Sequence, residues 1–266
     1  MKRIGIENLV RWAWIEELSK VAPERDFRAP ASLGFGNSWA VAGEIPHDGG
    51  SRLTINRFGA VFSADHAGEP HPDALAVARV VSDLDDLVVE EPAEIDWFGA
   101  WGDLDRLGEA ALARAWGLVV REAGPGRKGG EGTILHGLAS SIVVRTAIVD
   151  QWPDWRGVAP VAVPDVHPGG QPKWVRIIER AVGWDGAGAP TRFELVEVDG
   201  FNRTARRPFP GARQVERLEP DPAPVLAERI RWAMIHAWFT ALAGALDGLG
   251  GRVVLPPDRP AAPWIA

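Results

Sequence analysis

Five arginines fall between Phe201 and Arg217, at Arg203, Arg206, Arg207, Arg213 and Arg217, with Glu216 the one acid among them. A guanidinium is a planar fork of donors that matches phosphate oxygens, so this stretch offers contact with a polyanion. Pro208 and Pro210 favour an extended arm. Arg203, Arg206, Arg207 and Arg213 are the leading candidates for nucleic-acid contact. Arg127 and Lys128, in the glycine-rich loop GPGRKGGEGT (124–133), join them. The alternative is a solvated face that balances acids elsewhere. Between Asp65 and Glu109 stand thirteen acidic residues against Arg79 and Arg106. That acidic stretch is a second candidate surface, for a protein partner.

Asp65, His66, Glu69, His71 and Asp73 form the densest group of metal-ligand types. They match no tight motif such as His-Glu-x-x-His, and they lie where a loop enters a helix. A small metal-dependent hydrolase is the third reading, and the expectation is no metal. Asp165 and His167 need a third partner to work as a dyad. His236 reads as a core histidine. Lys128 is followed by glycine, and a helix precedes its loop, so the loop is not a Walker-type phosphate cradle. Gly34-x-Gly36 lacks a third glycine, and Ser140-Ser141 lack a G-x-S-x-G elbow. The residues supply no catalytic set and imply no cofactor; the expectation leans away from an enzyme.

Composition bounds the setting. Thirteen tryptophans stand beside no tyrosine and no cysteine, and the net charge is −7. The arginine excess over lysine, with abundant Ala, Gly and Pro, is the bias of a GC-rich genome. Large indoles belong mostly in the core or at its edge. The absence of cysteine excludes disulfides and thiolate chemistry and fits a reducing compartment. The basic start reaches Glu7 before any apolar run, unlike a secretory signal. Trp232–Leu246 is too short to span a bilayer. A cytoplasmic protein without a membrane partner is expected.

Apolar spacing predicts helices over 6–20, from Pro72 to about Leu87, over 103–122 with Asp103 as cap and Gly124 as stop, and over 134–149. Gly34–Val41 suggests an extended piece, and 52–62 reads as a strand broken at Gly59. An acidic loop carries Pro92. Alternation over 173–182 and 192–198 around Gly183–Gly188 predicts a β-hairpin. A long buried helix is expected over 225–246, then a short strand at 252–255 and a tail docked by Trp264. The fold class is α+β. A mainly helical part, 1–152, and a part built of the hairpin, the arginine arm and the long helix, 173–266, flank a proline-rich linker, 153–172. The terminal helices can also share one core, making a single domain.

Five stretches carry a resemblance. They are IENLVRWAWIEEL, HPDALAVARVV, VVRTAIVDQWPDW, the hairpin segment KWVRIIERAVGWDGAGAPTRFELVEVDGFNRTARRP, and WFTALAGALDGL with its PPDRPAAPW tail. Together they resemble an uncharacterised prophage protein family of GC-rich alphaproteobacteria. The resemblance spans most of the chain and carries no activity or site residue. It implies a phage-borne accessory protein; the expectation that such a protein binds DNA or a phage or host protein comes from the arginine stretch and the acidic segment.

Overall fold

A computed structural model describes residues 2–23, 55–86, 88–89, 95–122, 128–129, 132–134, 139–187 and 189–265. Outside them lie Arg127, the Gly34–Val41 piece, Pro92, the expected stop at Gly124 and the first residues of the strand read over 52–62, as does the side chain of Lys128. In chain order, β1 (Lys2–Gly5) leads into α1 (Ile6–Trp12), whose winding loosens to a π-turn over Ala13–Glu17 and tightens over Leu18–Lys20. Next come α2 (Pro72–Asp83), β2 (Val88–Val89), α3 (Asp105–Glu122), β3 (Lys128–Gly129), β4 (Gly132–Ile134) and α4 (Ala139–Val149). An all-β stretch follows: β5 (Val161–Pro164), β6 (Trp174–Trp184), β7 (Pro190–Asp199), β8 (Phe201–Asn202), β9 (Arg207–Pro208), β10 (Arg213–Gln214) and β11 (Glu216–Glu219). Then come α5 (Ala223–Ala245) and β12 (Arg252–Leu255). The fold is α+β. Among the described residues, no helix is long and apolar enough to cross a membrane.

The chain forms two compact units, one of residues 1–102, 112–156 and 223–266, the other of 103–111 and 157–222. The long helix α5 therefore belongs with the N-terminal helices, and segment 173–266 is not a unit by itself. The proline-rich stretch 153–172 is divided between the two.

In the first unit α5 is the central element. Leu226, Ile230, Phe239 and Leu242 are fully buried, and Trp232 and Trp238 nearly so. A helix buried this far round needs neighbours on several sides; α1, α2 and α4 supply them. β1 pairs in parallel with β12, Lys2 opposite Arg252 through Gly5 opposite Leu255.

Two local expectations are corrected. The helix expected from Ile134 begins at Ala139, and Gly132–Ile134 is instead the middle strand between β2 and β3. The true start is set from afar: Asp85 accepts the Ser140 amide at 2.9 Å and its hydroxyl at 2.8 Å. Residues 55–61, read as strand, make a tight turn in which Ile55 bridges to Val61. The buried Asn56 side chain donates to the Leu18 and Val21 carbonyls (2.6 and 3.0 Å) and accepts from Phe58 and Ala60 (3.0 and 3.2 Å). Four backbone partners satisfy a polar group that would otherwise be costly to bury.

One buried cation ties distant segments of this unit together. Arg229, on α5, is buried, and it donates from Nη1 to the Trp97 and Phe98 carbonyls (2.6 and 3.0 Å) and from Nε to the Trp155 carbonyl (3.3 Å). Its guanidinium lies 3.9 Å from the centre of the Trp101 ring. Trp264 stacks on Trp97 with centroids 5.9 Å apart and donates to the Asp96 carbonyl at 2.8 Å. Gly99, at φ +54°, makes room: a Cβ there would sit 2.2 Å from the Trp264 carbonyl oxygen. Burial pulls Arg229 down to about 10, so it stays charged at neutral pH. Hydrogen bonds to a charged group are among the stronger ones. Arg229→Met should lower stability by on the order of 3 kcal/mol, read as the urea midpoint. An unchanged midpoint would mean that the three carbonyls do not depend on Arg229.

Candidate interaction surface

The second unit is built around a long antiparallel ribbon. β6 and β7 pair from Val175 opposite Asp199 to Trp184 opposite Pro190, with register shifts between Ala181 and Trp184. Among the described residues only β10 adds a strand, and it covers β6 at Trp174 and Val175. Asp185 organises the loop, accepting the Ala187 and Ala189 amides at 2.9 and 2.8 Å. Gly200 holds the base, where a Cβ would meet the Val175 backbone at 2.7 Å.

Side chains directly opposite in an antiparallel pair share a face. One face carries Ile177, Glu179 and Ala181 from β6 and Phe193, Leu195 and Glu197 from β7. The other carries Arg176, Ile178 and Arg180 with Val198, Val196 and Glu194. On that second face Arg176 lies 3.9 Å over the Phe209 ring, and Ile178, Val196 and Val198 are half-buried. The first face is bare: Leu195 is 72% exposed, Ile177 59% and Phe193 55%, and Trp184 near the tip is 64% exposed. The expectation that tryptophans anchor the core holds for Trp14, Trp97, Trp152, Trp232, Trp238 and Trp264, and Trp184 departs from it.

The candidate arginines lie at the base of the ribbon. Arg203, Arg206 and Arg207 sit on the turn and second strand of the small β8–β9 hairpin, and Arg213 begins β10. Arg213 pairs with Glu197 at 2.9 Å and Arg203 with Asp199 at 3.7 Å. Arg217 pairs with Glu219 at 2.9 Å. Arg206 and Arg207 are exposed and have no ion-pair partner among the described residues. Lys128 lies in β3, away from this group in the chain and in the other unit.

Four acids of the 65–109 stretch, Asp73, Asp85, Asp96 and Asp103, are engaged in holding the structure. Asp73 binds Arg252 at 3.1 Å. Asp85 caps α4, Asp96 accepts the Phe98 and Gly99 amides at 3.0 Å, and Asp103 accepts the Asp105 amide at 2.8 Å. His71 caps α2, its Nδ1 accepting the Asp73 amide at 3.1 Å, while its own amide donates to Glu17. Among the described residues no three His, Asp or Glu side chains converge in a metal-binding arrangement. Asp165 pairs with Lys173 at 2.7 Å rather than with His167, and that hydrogen bond holds its carboxyl below the usual range. A recess of about 100 Å³ is lined by Trp14, Phe58, Ser82, Ser140, Ser141 and Val144 among others. Its Ser140 hydroxyl donates to Asp85, and none of the described residues lining the recess is a histidine that could activate a nucleophile.

No family model, curated protein or solved structure matches the chain. The reading of function therefore rests on these side chains.

His236, on α5, is half-buried, and burial lowers its pKa, with a backbone hydrogen bond to Arg259 working the other way. Glu7 is raised, by burial first and then by Asp258 and Asp150, while Arg259 opposes. The two act with opposite signs. A histidine lowered in the folded state leaves the unfolded chain binding more protons just below the ordinary value of about 6.5, so stability falls as pH drops through that value. Glu7 contributes most in acid and loses that contribution as pH rises through its folded value. His236→Asn should flatten the fall in stability between about pH 7 and pH 5.5. Equal slopes in both proteins would remove His236 from the account.

Proposed function

We propose that this is a non-enzymatic accessory protein, prophage-borne in line with its resemblance, and that it works by contact through the β6–β7 ribbon. The observation that carries this is the bare face of Ile177, Phe193 and Leu195, with Trp184 near the tip. A two-stranded ribbon is marginal in water by itself, and clustered exposed apolar side chains mark a surface awaiting a partner. Each exposed large side chain forgoes about 1.5–3 kcal/mol that burial would contribute. Four in one place exceed the scatter of single apolar residues found on any surface. The acidic stretch offers less, because several of its carboxylates already serve caps and an ion pair.

In the double variant Ile177→Lys/Leu195→Lys the unfolding midpoint should stay within about 0.5 kcal/mol of the parent, as for exposed positions. Binding of an apolar fluorescent dye by the native protein should fall sharply. A loss of stability above about 2 kcal/mol would make these residues core and sink the reading.

A second reading has its own support. Arg206 and Arg207, exposed and without an ion-pair partner among the described residues, suit a phosphate backbone. The 157–222 segment holds nine basic and nine acidic residues, so its field gives no general attraction to DNA. On this reading, duplex binding measured by anisotropy at about 50 mM salt should weaken in Arg206→Ala/Arg207→Ala. Its log–log salt slope should fall by about 1.8, two contacts at about 0.9 each. No binding at that salt, or an unchanged slope, rejects it.

A further inference from the structure

We propose that the open edge of β7 pairs antiparallel with the same edge of a second copy of this chain, about a two-fold axis through Phe193. This rests on reading the ribbon as the contact surface and names the occupant of its edge. Among the described residues no strand lies beside the outer side of β7 along Pro190–Asp199. The phase of its hydrogen bonds is fixed at the base, where the Gly200 amide donates to the Trp174 carbonyl at 2.8 Å. Inward- and outward-bonding residues alternate in an antiparallel pair. Phe193, Leu195 and Glu197 therefore hold their N–H and C=O groups toward the open edge, ready to bond another strand.

Charge decides which strand and which register. Centring the pairing on Phe193 sets Arg192 opposite Glu194 of the second copy, and by symmetry Glu194 opposite Arg192. Thr191 then faces Leu195, and the two Phe193 side chains meet at the axis. Centring it on Glu194 would set two like charges against each other. Centring on Leu195 or Val196 would place every ionised side chain of one β7 opposite an uncharged residue or one of like sign, with no opposite charge to meet. Opposite charges directly across a sheet stabilise the pair, and like charges do the reverse. Within one chain Arg192 and Glu194 already associate at 2.8 Å, on a strand where both are well exposed, so each is free to exchange that contact for the one across the axis. Charged side chains on an edge ordinarily prevent indiscriminate pairing; here their order selects one partner, the same strand reversed. The nine basic and nine acidic residues of 157–222 leave the segment that would meet its copy without net charge of its own. The interface is isologous, so it closes at a dimer.

The full-length protein tests this by sedimentation velocity, charge reversal and cross-linking. A dimer is expected. Arg192→Glu alone and Glu194→Arg alone should each raise its dissociation constant roughly tenfold or more, since each sets two like-charge pairs in the interface. Mixing the two variants should restore the dimer, because both cross-strand pairs then have opposite sign. The intrachain contact is lost in both variants and mixing cannot restore it, so rescue reports the interface alone. The chain has no cysteine, which makes single-cysteine variants clean. Phe193→Cys should cross-link on oxidation, its Cα atoms lying about 5.5 Å apart across the axis. Leu195→Cys should not, with Cα atoms about 13 Å apart along the strands. A monomer at about 100 μM, where even an affinity of about 1 μM would leave most chains paired, overturns the proposal. So does a species larger than a dimer, which would mean use of the open β6 edge. So does cross-linking at Leu195→Cys in place of Phe193→Cys. Dye binding that depends on Ile177 and Leu195 in a monomeric protein would keep the contact-surface reading while this pairing fails; loss of both would remove both.

Discussion

A buried positive charge with backbone oxygens as its hydrogen-bond acceptors sets the conditions for the first unit. An isolated ion in a low-dielectric interior is costly unless hydrogen bonds compensate its lost hydration. Arg229 meets this with carbonyls from Trp97, Phe98 and Trp155, which come from two segments far from α5 in the chain. The turn at Asp96–Gly99 must present its carbonyls inward, and Asp96 achieves that by accepting two amides of the same turn. Trp101 covers the guanidinium face, and Trp264 covers Trp97. The C-terminal tail is thus held by the same turn that satisfies the cation. Few positions in the unit are independent of that arrangement.

The ribbon follows the opposite logic. Its charges meet one another at the surface, as Arg213 does Glu197, while its large apolar side chains stand in solvent. Exposed ion pairs of this kind contribute little to stability. On the proposed reading, what the ribbon gains from that arrangement is recognition. A face with apolar side chains spaced along two strands, an edge with unmet hydrogen-bonding groups and a charge order that matches its own reverse all favour association over internal cohesion.

Much of this was legible in the sequence, and what was not has a common cause. α5 declared itself through a wide apolar stripe, and β6 and β7 through alternation around a glycine-rich turn. The alternation also held the exposed face in view, since Ile177, Phe193 and Leu195 lie at period two. Their exposure was not readable, because period two gives a face and says nothing of whether another layer covers it. The cap of α4 was hidden because Asp85 precedes it by 55 residues. The turn at 55–61 was hidden because Asn56 reaches back to Leu18 and Val21. Arg229 went unmarked, because nothing local in the sequence points to the carbonyls that receive it. The arginine stretch was visible as a stretch, but the acids that engage Arg203 and Arg213 were only evident once β7 lay alongside.

The parallel pairing of β1 with β12 joins residues 250 positions apart. Bringing such distant segments together carries an entropic cost that grows with the intervening chain, and folds rich in distant contacts form slowly. β1 and α1 are synthesised long before α5 and β12, against which they pack or pair. The apolar side chains Ile6, Leu9 and Val10 can meet α2 and α4 sooner, but their burial is complete only once α5 has been made. Until then part of that apolar surface stays open, the condition in which a nascent chain is prone to aggregate.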